Sequence, residues 1–144
     1  MKKVFLIISF LIFFSSCNDG AYYQHFSNYS DYLKNIDNRR LTEKFPDIIK
    51  PDAFDIKSCS YIESNAFSKF KYSNNDNYDS IFLDNKKITF LEFDSKNQKL
   101  KDLEPKWFLE YDLKDSLSYE TIRIDYFYIV RNRSKKEIFS FTSL

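Results

Sequence analysis

The chain has 144 residues, with 22 Lys and Arg against 21 Asp and Glu, so its formal net charge is +1. Because the charges balance, the protein has no net positive electrostatic field that would attract a polyanion, and nucleic-acid binding is not expected. Aromatic residues make up 19% of the sequence, enough to build an aromatic core, whereas the single glycine excludes the glycine-rich loops that cradle nucleotide phosphates.

The first residues have the order of an export signal. Lys2–Lys3 precede an apolar run at Val4–Phe14, which ends in the small residues and cysteine of Ser15–Cys17. The run is shorter than the ~20 residues that a membrane-spanning helix needs. This order resembles the lipobox signal of bacterial lipoproteins, with Phe14 where that family usually has an aliphatic residue.

The resemblance implies that residues 1–16 are a signal peptide, that Cys17 is acylated, and that residues 17–26 form a lipidated tether. It also implies a place in the cell envelope, anchored to the membrane, at the outer membrane and facing the periplasm. The abundant Asn, Lys, Ile, Phe and Tyr resemble the composition of small lipoproteins of Bacteroidota. Ordinary secretion with Cys17 retained and an uncleaved helix are the alternatives.

The predicted domain spans residues 27–144 and begins with an amphipathic helix over 27–45. Apolar residues recur there at helical spacings of three and four, at Tyr29, Tyr32, Leu33, Ile36, Leu41 and Phe45. Ser27, Ser30 or Asp31 is the expected N-cap. Pro46 ends the pattern, and a rigid loop is expected to Pro51.

A hairpin follows, because the apolar period changes to two. Its strands are predicted over 54–62 and 66–72, with a turn between them. Asn74–Asp76 is expected to cap a short helix that runs to about Leu83 and turns Tyr78, Ile81 and Phe82 inward.

The second half of the chain predicts more strands. A third strand is expected over 88–93, then a polar surface connection over 94–106 and an apolar cluster from Trp107 to Tyr111. One long strand is predicted over 119–130, paired across a turn with 137–142. The expected fold is α+β, a mostly antiparallel sheet of about four to five strands with two helices on one face.

His25 and Cys59 are candidates for chemistry by residue type. We interpret His25, the only histidine, as a solvated residue of the tether. Cys59 has no intrachain disulfide partner if Cys17 is acylated, and we interpret it as a small buried hydrophobe of a strand. One histidine cannot build a His cluster for a metal, so no catalytic residue, no metal and no cofactor is predicted.

Acidic residues supply the enzyme hypothesis. Glu92 and Asp94 would be neighbours on one strand face, at the ~5–10 Å separation that glycosidases use. Further carboxylates follow at Glu110, Asp112, Asp115, Glu120 and Asp125. Lysines interleave with them, which is more typical of a solvated face.

Two other patterns have ordinary explanations. Asn75, Asn77 and Asp79 are spaced like the start of a calcium loop, but the required glycine and glutamate are missing, so a helix cap is favoured. Positive charge collects at the last hairpin turn, in Arg131, Arg133, Lys135 and Lys136. We interpret it as a solvated turn, with anionic lipid or an acidic partner as the alternative.

No catalytic motif accompanies these features. The favoured function is therefore a lipid-anchored, non-enzymatic binding or protein-interaction module with a protein partner in the envelope. An immunity-type inhibitor of an exported toxin is one variant of that function. An anchored hydrolase that uses paired carboxylates is the alternative from a different class.

Overall fold

The computed structural model describes residues 20–35, 44–61 and 65–143. The predicted signal peptide and Cys17 lie outside these residues, as do positions 36–43 of the first predicted helix. The strands are β1 (Ala21–Asn28), β2 (Ala53–Tyr61), β3 (Ala66–Tyr72), β4 (Tyr119–Ile124), β5 (Phe127–Asn132) and β6 (Glu137–Thr142). The helices are α1 (Tyr29–Leu33), α2 (Asn75–Asp84) and α3 (Phe90–Asn97), with two 3₁₀ helices at Gln98–Leu103 and Leu113–Ser118.

The six strands form one sheet in the order β1-β2-β3-β6-β5-β4, and all neighbouring strands are antiparallel. The predicted α+β class with an antiparallel sheet is confirmed. The predicted number of four to five strands is too low.

One extra strand comes from the predicted tether, which is wrong for residues 21–26. They belong to β1, whose pairing with β2 runs from Ala21↔Tyr61 to Asn28↔Phe54. Only Phe26 of this strand is buried. Its sequence, AYYQHFSN, shows almost no alternation of apolar and polar residues. The pairing of β1 with β2, and not its local sequence, therefore determines its conformation.

The other extra strand comes from a turn inside the predicted strand 119–130. Asp125 has φ 52°, in the left-handed region that Asp tolerates better than most residues, and the chain reverses there. The reversal pairs Ile122 with Ile129 and Ile124 with Phe127. Tyr128 consequently lies on the opposite face from Ile122, although unbroken alternation predicts the same face.

Both faces of the sheet are covered, so the prediction of helices on one face only is wrong. On one face, which we call the α2 face, the sheet packs against α1, α2 and the segment that contains Ile48. The sheet residues of this core are Phe26, Ile56, Phe70, Tyr72, Ile122, Ile129 and Ile138. On the other face, which we call the α3 face, the sheet packs against α3, the first 3₁₀ helix and the 107–111 segment, and its core residues are Phe67, Tyr128, Val130, Phe139 and Phe141. The apolar cluster predicted at 107–111 is part of this second core.

Helix α3 replaces the predicted strand 88–93 and the start of the predicted connection. Thr89 is its N-cap, and the Thr89 hydroxyl accepts a hydrogen bond from the Glu92 backbone N–H at 3.1 Å. Thr-x-x-Glu is the sequence of a capping box, a helix signal that the short apolar alternation obscured.

The two helices predicted on the α2 face differ in outcome. Helix α2 is capped by Asn74 and buries Tyr78, Ile81 and Phe82, as predicted. Helix α1 begins at Tyr29 and not at residue 27, because residues 27 and 28 belong to β1. It has five residues, and its N-cap is Asn28 instead of the expected Ser27, Ser30 or Asp31.

Candidate functional site

One corner of the α3 face carries charged side chains and one histidine in place of apolar side chains. We call this set the ionic face: His25, Asp55, Lys57, Lys69, Lys71 and Glu137. Strand register brings its members together, since His25 pairs with Lys57, Lys57 with Lys69, and Lys71 with Glu137. The ionic face therefore spans β1, β2, β3 and β6.

Asp55 is at the centre of the ionic face. It lies in a register shift between Phe54 and Lys57, with φ 48°. An extra residue at such a bulge redirects a side chain, and bulges of this kind are frequent next to functional sites. Here Asp55 Oδ1 is 3.1 Å from both His25 Nε2 and Lys57 Nζ, and Oδ2 is 3.3 Å from Lys71 Nζ.

Glu137 is the second carboxylate. Its Oε1 lies 3.0 Å from Lys69 Nζ and 3.2 Å from Lys71 Nζ. Lys71 therefore bridges the two carboxylates, and its hydrogen bond to Glu137 is the main cause of its raised pKa. Burial alone would raise the pKa of Asp55 and of Glu137, but the neighbouring lysines outweigh it and lower both pKa values below their usual range. Both carboxylates are ionised at neutral pH.

A cleft of about 420 Å³ adjoins the ionic face and shares Lys69 and Glu137 with it. We call it the cationic cleft. The 106–110 segment forms its outer wall, and the ends of β4, β5 and β6 form its floor. Its other lining residues include Lys106, Trp107, Glu110, Tyr119, Lys135 and Phe139.

His25 and Cys59 have different outcomes. Cys59 is fully buried in β2, as predicted. The interpretation of His25 as a tether residue is wrong, because His25 lies on β1 and contacts Asp55, a residue 30 positions away. Strand pairing brings the two together, and no short motif in the sequence encodes that pairing.

The predicted carboxylate pair does not form. Glu92 and Asp94 lie on helix α3 and not on one strand face; Glu92 is exposed, and Asp94 is buried. Asp94 accepts a hydrogen bond from the Tyr111 hydroxyl at 2.6 Å. The hydrogen bond joins α3 to the 107–111 segment. Burial, with Asp94 as a further cause, raises the pKa of Tyr111.

The remaining acidic candidates have structural partners or are exposed. Glu120 pairs with Arg131, Asp112 caps the second 3₁₀ helix, and Asp125 forms the β4–β5 turn. Glu110 and Asp115 are exposed.

The basic turn is divided between the interior and the surface. Arg131 is buried, contrary to its interpretation as a solvated residue, and stacks on Tyr78 and Phe82 at 4.5 and 4.3 Å. Arg133, Lys135 and Lys136 are exposed. Burial, opposed by Arg131, raises the pKa of Tyr78 to about 12.

Within residues 20–35, 44–61 and 65–143, no group of three or more His, Cys, Asp or Glu side chains could hold a metal ion. No helix in the same ranges has both the length and the apolar character needed to cross a bilayer. Comparisons with protein-family models, curated proteins and solved structures found no match for this chain.

Proposed function

We propose that this protein is a lipid-anchored binding module of the cell envelope whose cationic cleft binds an acidic segment of a protein partner. One observation carries the proposal. The ionic face and the cleft together hold five lysines and three carboxylates on one continuous surface, and the only tryptophan of the chain lies in it.

The lysines of this surface differ in how they are neutralised. Lys57, Lys69 and Lys71 pair with Asp55 and Glu137. Lys106 and Lys135 are exposed, and neither has an ion pair with any residue that the structure describes. Two unneutralised ammonium groups beside Trp107 can attract carboxylates and pack against the apolar part of a peptide.

The ionised state of the carboxylates favours binding over hydrolysis. A glycosidase needs one carboxyl group protonated at its working pH, which requires a raised pKa. Asp55 and Glu137 instead have lowered pKa values, because lysines surround them. Inhibition of an exported toxin would be a special case of the proposed protein binding.

The proposed anchor is Cys17, on the basis of the charged, apolar and small-residue order that ends there. We expect labelled palmitate to enter the wild-type protein and not the Cys17→Ser variant. Equal labelling of the two proteins, or recovery of the wild type in the soluble fraction, would contradict the anchor without affecting the proposal for the cleft.

Trp107 makes binding at the cleft measurable, because no other tryptophan contributes to the fluorescence. An oligoglutamate peptide is the probe, and an oligoglutamine peptide of equal length is its matched control. We expect a saturable change in emission with oligoglutamate only, which weakens as salt is added because the attraction is electrostatic. The same response to both peptides would contradict an acidic partner.

A further inference from the structure

The exposed tyrosines of this chain lie at one end of the sheet. Tyr22 and Tyr23, near the start of β1, are 59% and 54% exposed, and Tyr126, in the turn between β4 and β5, is 39% exposed. The structure describes all 11 tyrosines, and the other eight are partly or fully buried. We call this end of the sheet the tyrosine end. The antiparallel register brings together there the strand termini Ala21, Tyr61, Ala66, Ile124, Phe127 and Thr142.

The tyrosine end is also the end at which the chain enters the fold. Because β1 begins at Ala21, only the four residues from Cys17 to Gly20 separate the proposed anchor from the sheet. Fully extended, the chain from Cys17 to Ala21 spans at most about 14 Å. Acyl chains on Cys17 would lie in the hydrocarbon core and place Cys17 itself at the bilayer surface. The start of β1 is then held within about 14 Å of that surface.

Tyrosine side chains suit the boundary between lipid and water. Their rings are apolar and their hydroxyls are polar, and tyrosine is enriched at the headgroup level of membranes. Tyr22 and Tyr23 are consecutive in β1, so their side chains point to opposite faces of the sheet. A partner that covers one face of the sheet would contact only one of them, whereas a surface that meets the end of the strand contacts both.

We infer that the tyrosine end rests in the headgroup region of the bilayer that holds Cys17, with the strands pointing away from the membrane. This inference rests on the proposed acylation of Cys17. Tyr126 provides the second point of contact, because β5 is four strand spacings from β1, roughly 19 Å. A molecule that lay on its β1 edge would keep Tyr126 off the bilayer, so contact at both places requires the end-on orientation.

The end-on orientation turns the cationic cleft away from the membrane. Asn132 at the end of β5 and Glu137 at the start of β6 line the cleft, and both lie at the opposite end of the sheet from Tyr126. From Phe127 to Asn132, β5 rises roughly 17 Å. The cleft is therefore held above the headgroups, open to a protein partner on the aqueous side.

The test uses the full-length lipoprotein in phosphatidylcholine vesicles whose headgroups carry a nitroxide quencher. A fluorescent label is placed on one introduced cysteine, since Cys59 is fully buried. Ser143→Cys puts the label beside Tyr126, because the Ser143 N–H donates to the Tyr126 carbonyl at 3.2 Å. Leu117→Cys is the control, in the 3₁₀ helix that leads into the opposite end of β4. We expect at least twofold stronger quenching at position 143 than at position 117.

Substitution of the tyrosines separates their contact from the effect of a short tether. In the Ser143→Cys protein, Tyr22→Ser/Tyr23→Ser/Tyr126→Ser should lower the quenching at least twofold, because the acyl chains then hold only one corner of the sheet. The matched control removes three exposed apolar side chains that lie outside the tyrosine end. It is the triple variant Leu91→Ser/Leu113→Ser/Leu117→Ser, and it should quench like the unsubstituted Ser143→Cys protein.

Flotation of the protein with the vesicles reports the anchor separately. If the protein floats but the two labels are quenched equally, or if the triple tyrosine variant is quenched like its parent, the inference is overturned and the anchor stands. Failure to float contradicts the anchor and the inference with it. Energy transfer between labels at position 143 without nitroxide quenching would assign the tyrosine end to a second copy of the chain, and would also overturn the inference.

Discussion

Arg131 provides the most direct test of how the α2 face is held together. Its guanidinium lies 2.8 Å from Glu120 and 2.7 Å from Asp79, donates to the Tyr78 carbonyl at 3.0 Å, and stacks on Tyr78 and Phe82. It thereby joins α2 to β4 and β5. Each hydrogen bond to a charged group contributes about 1.5–3 kcal/mol to the free energy of unfolding, although such contributions are not additive. Removing one partner of a buried ion pair lowers that free energy by about 3–5 kcal/mol.

We therefore expect Arg131→Ala to lower the free energy of unfolding by about 3–4 kcal/mol, below the upper bound because Arg133 and Lys87 remain near Glu120. Arg133→Ala is the matched control: it removes an arginine from the same strand end, near the same carboxylate, but Arg133 is 64% exposed against 9% for Arg131. An exposed pair is worth at most about 1 kcal/mol. Urea unfolding measures both variants, and equal losses would refute this account of Arg131.

Three further predictions concern the α3 face. Phe141 is fully buried among aromatic rings, so Phe141→Ala should cost about 3–5 kcal/mol in urea unfolding; a loss below 1 kcal/mol would mean that this face is not a close-packed core. Because the folded-state pKa values of Asp55 and Glu137 are lowered, their contribution to stability is present above pH ~4 and is lost as the pH falls through the folded pKa values. The free energy of unfolding of the Asp55→Asn/Glu137→Gln double variant should then fall less steeply below pH ~4.5 than that of the wild type. Parallel curves of stability against pH would show that these carboxylates do not contribute to the loss of stability in acid. Thr89→Ala removes the cap of α3 and should cost about 1 kcal/mol, whereas a stability equal to wild type would show that the cap contributes little.

The sequence predicts those elements whose local signals agree with their tertiary environment. Asn74 followed by inward Tyr78, Ile81 and Phe82 identifies α2, and alternation identifies the strands over 54–72 and 137–142. Prediction from the sequence fails where pairing with a distant strand, or a signal of one residue, determines the conformation. β1 has one buried residue, and Asp125 reverses a chain that otherwise alternates without a break.

The ionic face is not predictable from spacing. Its two carboxylates are far apart in sequence, and they meet because β3 lies between β2 and β6 in the sheet. Each of its residues viewed alone is indistinguishable from a solvated charge. The hairpin register, which aligns Lys57 with Lys69, was the one local signal that could have indicated a charged strip on the sheet.

The measurement that tests the cationic cleft most directly is the oligoglutamate titration of Trp107 fluorescence in charge-reversal variants. Lys106→Glu/Lys135→Glu should weaken binding by about tenfold or more, because loss of two attractive charges and gain of two repulsive ones costs at least about 1.4 kcal/mol. Lys50→Glu/Lys99→Glu is the matched control, since both lysines are exposed and neither lines the cleft. We expect wild-type affinity for the control and weakened binding for the cleft variant; equal affinities for the two variants would contradict binding at the cationic cleft.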